Sequence, residues 1–215
     1  MKRYGQVCPL ARALDVVGDR WSLLLIRELL IGPRRYSDLQ HGLPGIGTNV
    51  LATRLRALQD AGVVSKRQLP PPTAVTVYEL TDAGTALGPT LGALRTWGAQ
   101  HAPPWQAGDA VRPAWILVGA TSAPRQVTRG KVCELQVDDE RFRLSAGAGR
   151  LTLRGGAGDR PNAVVVLDTV TLYSLVTGRI TARTIRRQCA IDGDEDFAGQ
   201  ILAALHNTLT PQPAS

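Results

Sequence analysis

The chain has 215 residues, 44% of them hydrophobic and 20% charged, which is enough to bury a core without disulfide support. Three scattered cysteines (Cys8, Cys133, Cys189) and three scattered histidines (His41, His101, His206) exclude a disulfide scaffold and offer no CxxC or HExxH spacing, so neither a metal nor a cofactor is expected. The net charge of +7 lies mainly in the first half, where residues 1–105 hold 12 Lys and Arg against 7 Asp and Glu, while residues 106–215 hold 13 against 11.

Within residues 34–67, six bases face two acids, and an acidic polymer is the natural partner of such a patch. No uncharged apolar stretch approaches the roughly 20 residues of a membrane span. The run from Leu23 to Ile31 is broken by Arg27 and Glu28, and Met1 to Pro9 carry charge without an apolar run. No membrane partner and no signal peptide are therefore expected, and the expected location is cytoplasmic.

Residues 8–100 read mostly as helices. The first starts at Cys8-Pro9, because proline loses nothing in a first turn whose N–H groups have no helical partner. Its apolar positions are Leu10, Leu14 and Val17, and Gly18 ends it. A second runs from Trp21 to Leu30 on Leu24, Leu25, Leu29 and Leu30, up to Gly32-Pro33. A third starts at Ser37, read as the N-cap with Gln40 three residues on, and closes at Gly42 and Pro44. Gly45 to Asn49 supply turn and cap residues for a fourth. There Leu51, Leu55 and Leu58 recur at i, i+4, i+7 and make one apolar face. Thr48, Asn49, Ala52, Thr53 and Arg56 fall on the other face. Short hydroxyl and amide groups reach base edges in a major groove, and arginine reaches guanine or phosphate, so this face suits DNA as well as plain solvent.

After Ala61-Gly62, residues 63–67 read as a strand, Leu69 to Thr73 as a proline-rich loop, and Thr76 to Leu80 as the return strand. Thr81 to Gly84 start a fifth helix. Consecutive helices, a two-stranded ribbon and a further helix are the order of a winged helix-turn-helix, with Lys66 and Arg67 at the base of the wing. A Pro/Gly-containing linker follows, from His101 to Asp109.

Five segments resemble the HxlR family of bacterial transcription regulators in collinear order over residues 8–98. They are residues 8–30 (CPLARALDVVGDRWSLLLIRELL), 35–39 (RYSDL), 51–58 (LATRLRAL), 61–64 (AGVV) and 78–84 (YELTDAG), followed by Trp97-Gly98. The resemblance implies a homodimeric winged-helix DNA binder, often a repressor, whose terminal helices make the dimer. It implies DNA-facing roles for Ser37, Thr48, Asn49, Thr53 and Arg56, and phosphate or wing contacts for Arg34, Arg35, Lys66 and Arg67. Trp21 becomes a core anchor between the first two helices. The wing departs from the pattern, since Leu69-Pro-Pro-Pro-Thr-Ala74 holds no base at its tip. Cys8 occupies the place of the N-terminal cysteine through which several such proteins sense oxidants. A helix N-terminus and the bases Lys2, Arg3 and Arg12 nearby favour a thiolate there, whereas a small apolar packing role is the plainer reading.

The second half alternates apolar and polar residues. Strands are expected around Val132–Val137, Phe142–Leu144, Leu151–Leu153 and Val164–Leu167, joined by hairpin-length turns at Asp138-Asp139 and Gly147-Ala-Gly149. Asp168 or Thr169 caps a helix with Leu172, Leu175 and Val176, and Thr181 caps another to Gln188. A short strand from Cys189 to Gly193 and a helix from Phe197 to Leu209 complete the pattern. It resembles a sterol-carrier-protein-type domain over about residues 111–208, carried by Asp168, Leu172, residues 175–182 (LVTGRITA) and Ile191-Asp-Gly193. That implies an apolar pocket lined by Leu172, Tyr173, Leu175, Val176 and Ile201, while a closed core fits the same residues. The basic run Arg183, Arg186 and Arg187, with Cys189 after it, departs from that family.

The expected fold is thus α+β, a winged helix-turn-helix DNA-binding and dimerisation domain (1–100), a linker (101–110) and a small α/β sterol-carrier-like domain (111–215). The expected function is a dimeric, DNA-binding transcription regulator, a repressor, that reads a double-stranded operator and responds to an apolar small molecule. Two alternatives stay open. One is a redox-responsive regulator sensing through Cys8 over a purely structural second half. The other is a lipid or acyl carrier or enzyme whose winged helix serves protein interaction. No enzyme is expected, because no Ser/His/Asp, Cys/His or paired-carboxylate arrangement stands out, and Asp192, Asp194, Glu195 and Asp196 read as an acidic helix start.

Overall fold

Proline and glycine set most of the boundaries in the first part of the chain. Pro9 opens α1 (Pro9–Val17) and Gly18 ends it. α2 (Ser22–Leu30) follows a turn in which the Asp19 carboxylate accepts the N–H groups of Trp21 and Ser22 at 2.9 and 3.2 Å. α3 (Tyr36–His41) and α4 (Thr48–Asp60) follow, then the antiparallel strands β1 (Val64–Gln68) and β2 (Thr76–Leu80), α5 (Asp82–Thr85) and α6 (Gly88–His101). The computed structural model describes residues 3–71, 74–103, 106, 108–118, 127–147, 150–157, 159–206 and 208. Lys2, two residues of the wing tip (72 and 73), three of the linker (104, 105 and 107), the turn at 148–149, and residues 207 and 209 of the expected last helix lie outside them.

The chain divides into two compact units, residues 1–91 and 92–215. The division falls inside α6, before the Pro/Gly-containing stretch that the sequence marks as a linker. In the first unit, Leu25, Ile26, Leu29, Leu39, Leu43, Leu51, Leu55 and Leu58 form one buried cluster, closed by Val63 and Val64 under the ribbon. Trp21 packs half-buried on its rim, with Arg20 5.6 Å over its ring.

Several expectations need correction. Of the apolar positions Leu10, Leu14 and Val17, only Val17 is buried; Leu10 and Leu14 are 67% and 38% exposed, and Ala11 is buried beside Val17. Within one chain α1 packs along α4, and its Leu10–Leu14 stripe stays in solvent. Ser37 does not cap α3. Arg35 holds the cap position, and its N–H is accepted by the Asp38 carboxylate at 3.0 Å. The fifth helix is two helices, α5 and α6, because Pro89 has no N–H to continue the ladder. The ribbon also has a third, single-residue member. Arg34 and Tyr78 exchange backbone hydrogen bonds of 2.9 and 2.8 Å, a bridge too short to leave a period in the sequence.

After the end of α6, the second unit continues with α7 (Pro113–Leu117), a short helix that the sequence pattern did not mark. β3 (Val132–Val137), β4 (Glu140–Gly147) and β5 (Arg150–Gly155) form an antiparallel meander. β6 (Ala163–Leu167) does not continue it. It crosses to the far side of β3 and pairs with it in parallel, so the link from β5 to β6 is not a hairpin. α8 (Thr169–Val176) and α9 (Ala182–Gln188) follow, then β7 (Ala190–Gly193), antiparallel to β6, and α10 (Glu195–Leu205). The sheet order is β5-β4-β3-β6-β7. Asp168, rather than Thr169, caps α8, its carboxylate accepting from Thr171 N at 2.6 Å.

Alternation and register bury Leu135, Phe142, Leu144, Leu151 and Val165 on one face, and α10, with Phe197 and Ile201 buried, packs on β3 and β6. Gly193 closes β7 at φ +88°, where a Cβ would meet the carbonyl of Asn162. Gly193→Ala is expected to cost about 1–3 kcal/mol in urea unfolding, from backbone strain and overpacking together. Among the described residues, no helix is long and apolar enough to cross a membrane.

Candidate nucleic-acid interface

α4 is helical because its leucines fall on one stripe and glycines bracket it. Gly47 takes the N-cap position without a side chain to offer, and Gly62 follows the last turn at φ +70°. Leu51, Leu55 and Leu58 are 0–2% exposed against the core. Thr48, Asn49, Ala52, Thr53 and Arg56 are exposed on the other side, so the structure brings these expected residues onto one face. Arg56 makes no ion pair among the described residues. With no side-chain cap, the first N–H groups of α4 stay open, which is the arrangement that helix N-termini use to hold phosphate.

The hydroxyls on this face are partly engaged. Thr53 Oγ1 donates to Asn49 O at 2.8 Å, and Thr48 Oγ1 accepts from Gln40 Nε2 at 3.1 Å. Asn49 and Arg56 are therefore the groups freest to read a base. Ser37 is exposed at the start of α3, with His41 Nδ1 2.7 Å from its carbonyl oxygen. Arg35 is exposed beside it, and Arg34 is half-buried where its backbone bridges to Tyr78.

The two wing bases are not equivalent. Lys66 is exposed and makes no ion pair among the described residues. Arg67 lies across the ribbon from Val77, and its guanidinium grips Glu79 with both Nε and a terminal nitrogen, at 2.9 and 3.0 Å. That bond raises the Arg67 pKa and holds the Glu79 carboxyl below the ordinary carboxylate range. Sequence reading missed Glu79, although the ribbon register places it on the same side as Arg67. Glu79→Gln is expected to free Arg67. Operator affinity then rises a fewfold and the slope of log K against log salt steepens by about one, as for one added phosphate contact. Anisotropy titrations at several salt concentrations measure both. Protonating Glu79 does the same, so the pair is lost only as pH falls through the lowered Glu79 pKa and is intact at neutral pH.

Cys8 stands half-buried at the N-cap of α1. Cys133 is sealed inside β3, where burial and the neighbouring Glu134 carboxylate push its thiol up to about 12. Burial also raises the Cys189 thiol. In the second unit, Leu172, Leu175, Val176 and Ile201 are fully buried and Tyr173 is half-buried. A cleft of about 360 Å³ runs between α9 and α10, lined by Val127, Ala182, Arg183, Arg186, Asp196, Gly199, Gln200 and Ala203. Arg186 reaches Glu195 and Asp196 there at 3.4 and 3.2 Å.

Helices α2, α3 and α4 followed by a two-stranded ribbon, with a small, polar and basic face on α4, define the class: a winged helix-turn-helix protein. The sequence model of the family described as HxlR-like helix-turn-helix matches residues 16–106. The uncharacterized HTH-type transcriptional regulator YvaP of Bacillus subtilis is 39% identical over 101 residues, which cover 46% of this chain and 93% of that protein. The HTH-type transcriptional regulator YodB of the same organism is 33% identical over 106 residues, covering 49% and 92%. The solved reduced form of YodB is 31% identical, covers 47% of this chain and 100% of its own, and superposes with a TM-score of 0.42. The chain belongs to the HxlR-like helix-turn-helix family of transcriptional regulators. Those relatives account for its first half alone, and Cys8 precedes the residues that the family model matches.

Proposed function

We propose that this protein is a homodimeric transcriptional repressor whose α4 reads an operator half-site in the major groove while the ribbon lies along the backbone. The observation that carries this is the outer face of α4, where Thr48, Asn49, Ala52, Thr53 and Arg56 stand exposed opposite a sealed leucine stripe. The open N–H groups at Gly47 and the exposed bases Arg35 and Lys66 supply the backbone contacts. Dimerisation is supported by apolar side chains that one chain leaves in water, Leu10 at 67% on α1, and Leu94 at 48% and Trp97 at 60% on α6.

The second unit serves as the sensor. A self-contained five-stranded sheet with its own core and a cleft between α9 and α10 supports an effector with an apolar body, held at the cleft rather than among Leu172, Tyr173, Leu175, Val176 and Ile201. Effector binding changes DNA affinity only so far as it favours one state of the dimer over another.

Titrating the full chain onto duplex DNA at several salt concentrations, with sedimentation of the complex, tests the reading. Affinity is expected to fall steeply as salt rises, and two chains are expected per duplex. Salt-insensitive binding, or a single chain per duplex, overturns it.

A further inference from the structure

Leucine packing beneath α4 does not by itself fix how the helix is turned. Leu51, Leu55 and Leu58 make non-directional contacts. A small rotation about the helix axis keeps all three buried while moving every side chain on the outer face. Two polar attachments remove that freedom. At the N-terminus, the Tyr36 hydroxyl donates to Thr48 O at 2.7 Å, and Gln40 Nε2 donates to Thr48 Oγ1 at 3.1 Å. On the other flank, the Arg54 guanidinium forms an ion pair with Asp19, in the turn between α1 and α2, with Nε 3.2 Å from Oδ1 but not aligned to hydrogen-bond it.

Asp19 is a fixed anchor, not a loose surface acid. Its carboxylate accepts the N–H groups of Trp21 and Ser22 and the hydroxyl of Ser22, itself buried. At about 100° per residue, Thr48 and Arg54 lie on opposite sides of the leucine stripe, and Arg54 points away from Arg56. The helix is therefore held from both flanks by groups that face the protein.

We propose that Arg54 is a positioning residue for sequence reading. Ion-paired with Asp19, it sets the rotation of α4 and so decides which base edges Asn49 and Arg56 reach. The inference rests on the DNA-binding reading above. It separates Arg54 from Arg56 by role, although the two arginines are near neighbours on one basic helix.

The experiment compares the full chain with Arg54→Gln, Arg54→Lys and Asp19→Asn, each titrated onto its selected operator and onto random-sequence duplex over a range of salt, with thermal unfolding alongside. Arg54→Gln is expected to lower operator affinity about tenfold while random-sequence binding changes less than about twofold, so the specificity ratio falls. The slope of log K against log salt stays as in the parent, because no phosphate contact has gone. Asp19→Asn reproduces this pattern by removing the same ion pair. Arg54→Lys keeps the charge and recovers part of the specificity, which also covers the case in which Arg54→Gln fails to fold. An unchanged specificity ratio in folded Arg54→Gln overturns the proposal. So does an equal loss on both DNAs with the slope reduced by about one, which would make Arg54 a phosphate contact. A parent chain without salt-dependent DNA binding removes the underlying reading, and this one with it.

Discussion

Replacing Arg56 by alanine is expected to weaken operator binding by about 1–3 kcal/mol and to leave the fold intact. Arg56 is exposed on the outer face of α4 and makes no ion pair among the described residues, so its loss opens no cavity and strands no partner. Surface substitutions of that kind usually change stability by less than about 0.5 kcal/mol. The salt dependence tells which DNA group the arginine meets. If it reads guanine, discrimination relaxes at one base pair and the salt slope holds. If it meets phosphate, binding weakens on all sequences and the slope drops by about one. Anisotropy with operator and random duplex separates the two, and unchanged operator affinity would remove α4 from the interface.

The largest stability effect is expected one residue away. Leu55→Ala should cost about 2–5 kcal/mol in urea unfolding, because Leu55 is 2% exposed at the centre of the leucine stripe and its neighbours relax only partly into the space left. A domain holds about 5–15 kcal/mol in total, so this one change takes a large share. Arg56→Ala and Leu55→Ala are thus opposite in kind, the first costing recognition without stability and the second costing stability first. A Leu55→Ala protein as stable as its parent would mean that α4 does not pack on the leucine stripe as described.

Much of the first unit was legible because its signals are local. Leucines four and three residues apart, glycines at Gly47 and Gly62 and the proline run after β1 locate α4 and the ribbon without knowledge of neighbours. The bridge of Arg34 to Tyr78 was not legible, since one residue has no period. The Arg67–Glu79 and Arg54–Asp19 pairs depend on register and on packing between distant turns, which composition does not encode. Exposure of Leu10 and Leu14 was hidden for the opposite reason, because helical spacing marks an apolar stripe but not what covers it.

In the second unit, alternation gave the faces of the strands but not their neighbours. Val164 to Leu167 read as a strand, yet nothing in those residues places it parallel to β3 on the far side of the meander. Likewise Leu172, Leu175 and Val176 read equally as pocket lining and as packed core, because an apolar side chain does not say whether its partner is a ligand or a leucine. The cleft between α9 and α10 is lined in part by Arg183, Arg186 and Gln200, which no apolar pattern would single out.

The claim that α4 reads sequence is tested most directly by selecting bound fragments from random duplex DNA with the full chain. A two-fold-symmetric motif is predicted, its half-sites about one helical turn or a multiple of it apart, as two recognition helices of a symmetric dimer require. Enrichment of no motif, with all fragments bound alike and released together by salt, would contradict it and leave the basic face as a nonspecific DNA surface.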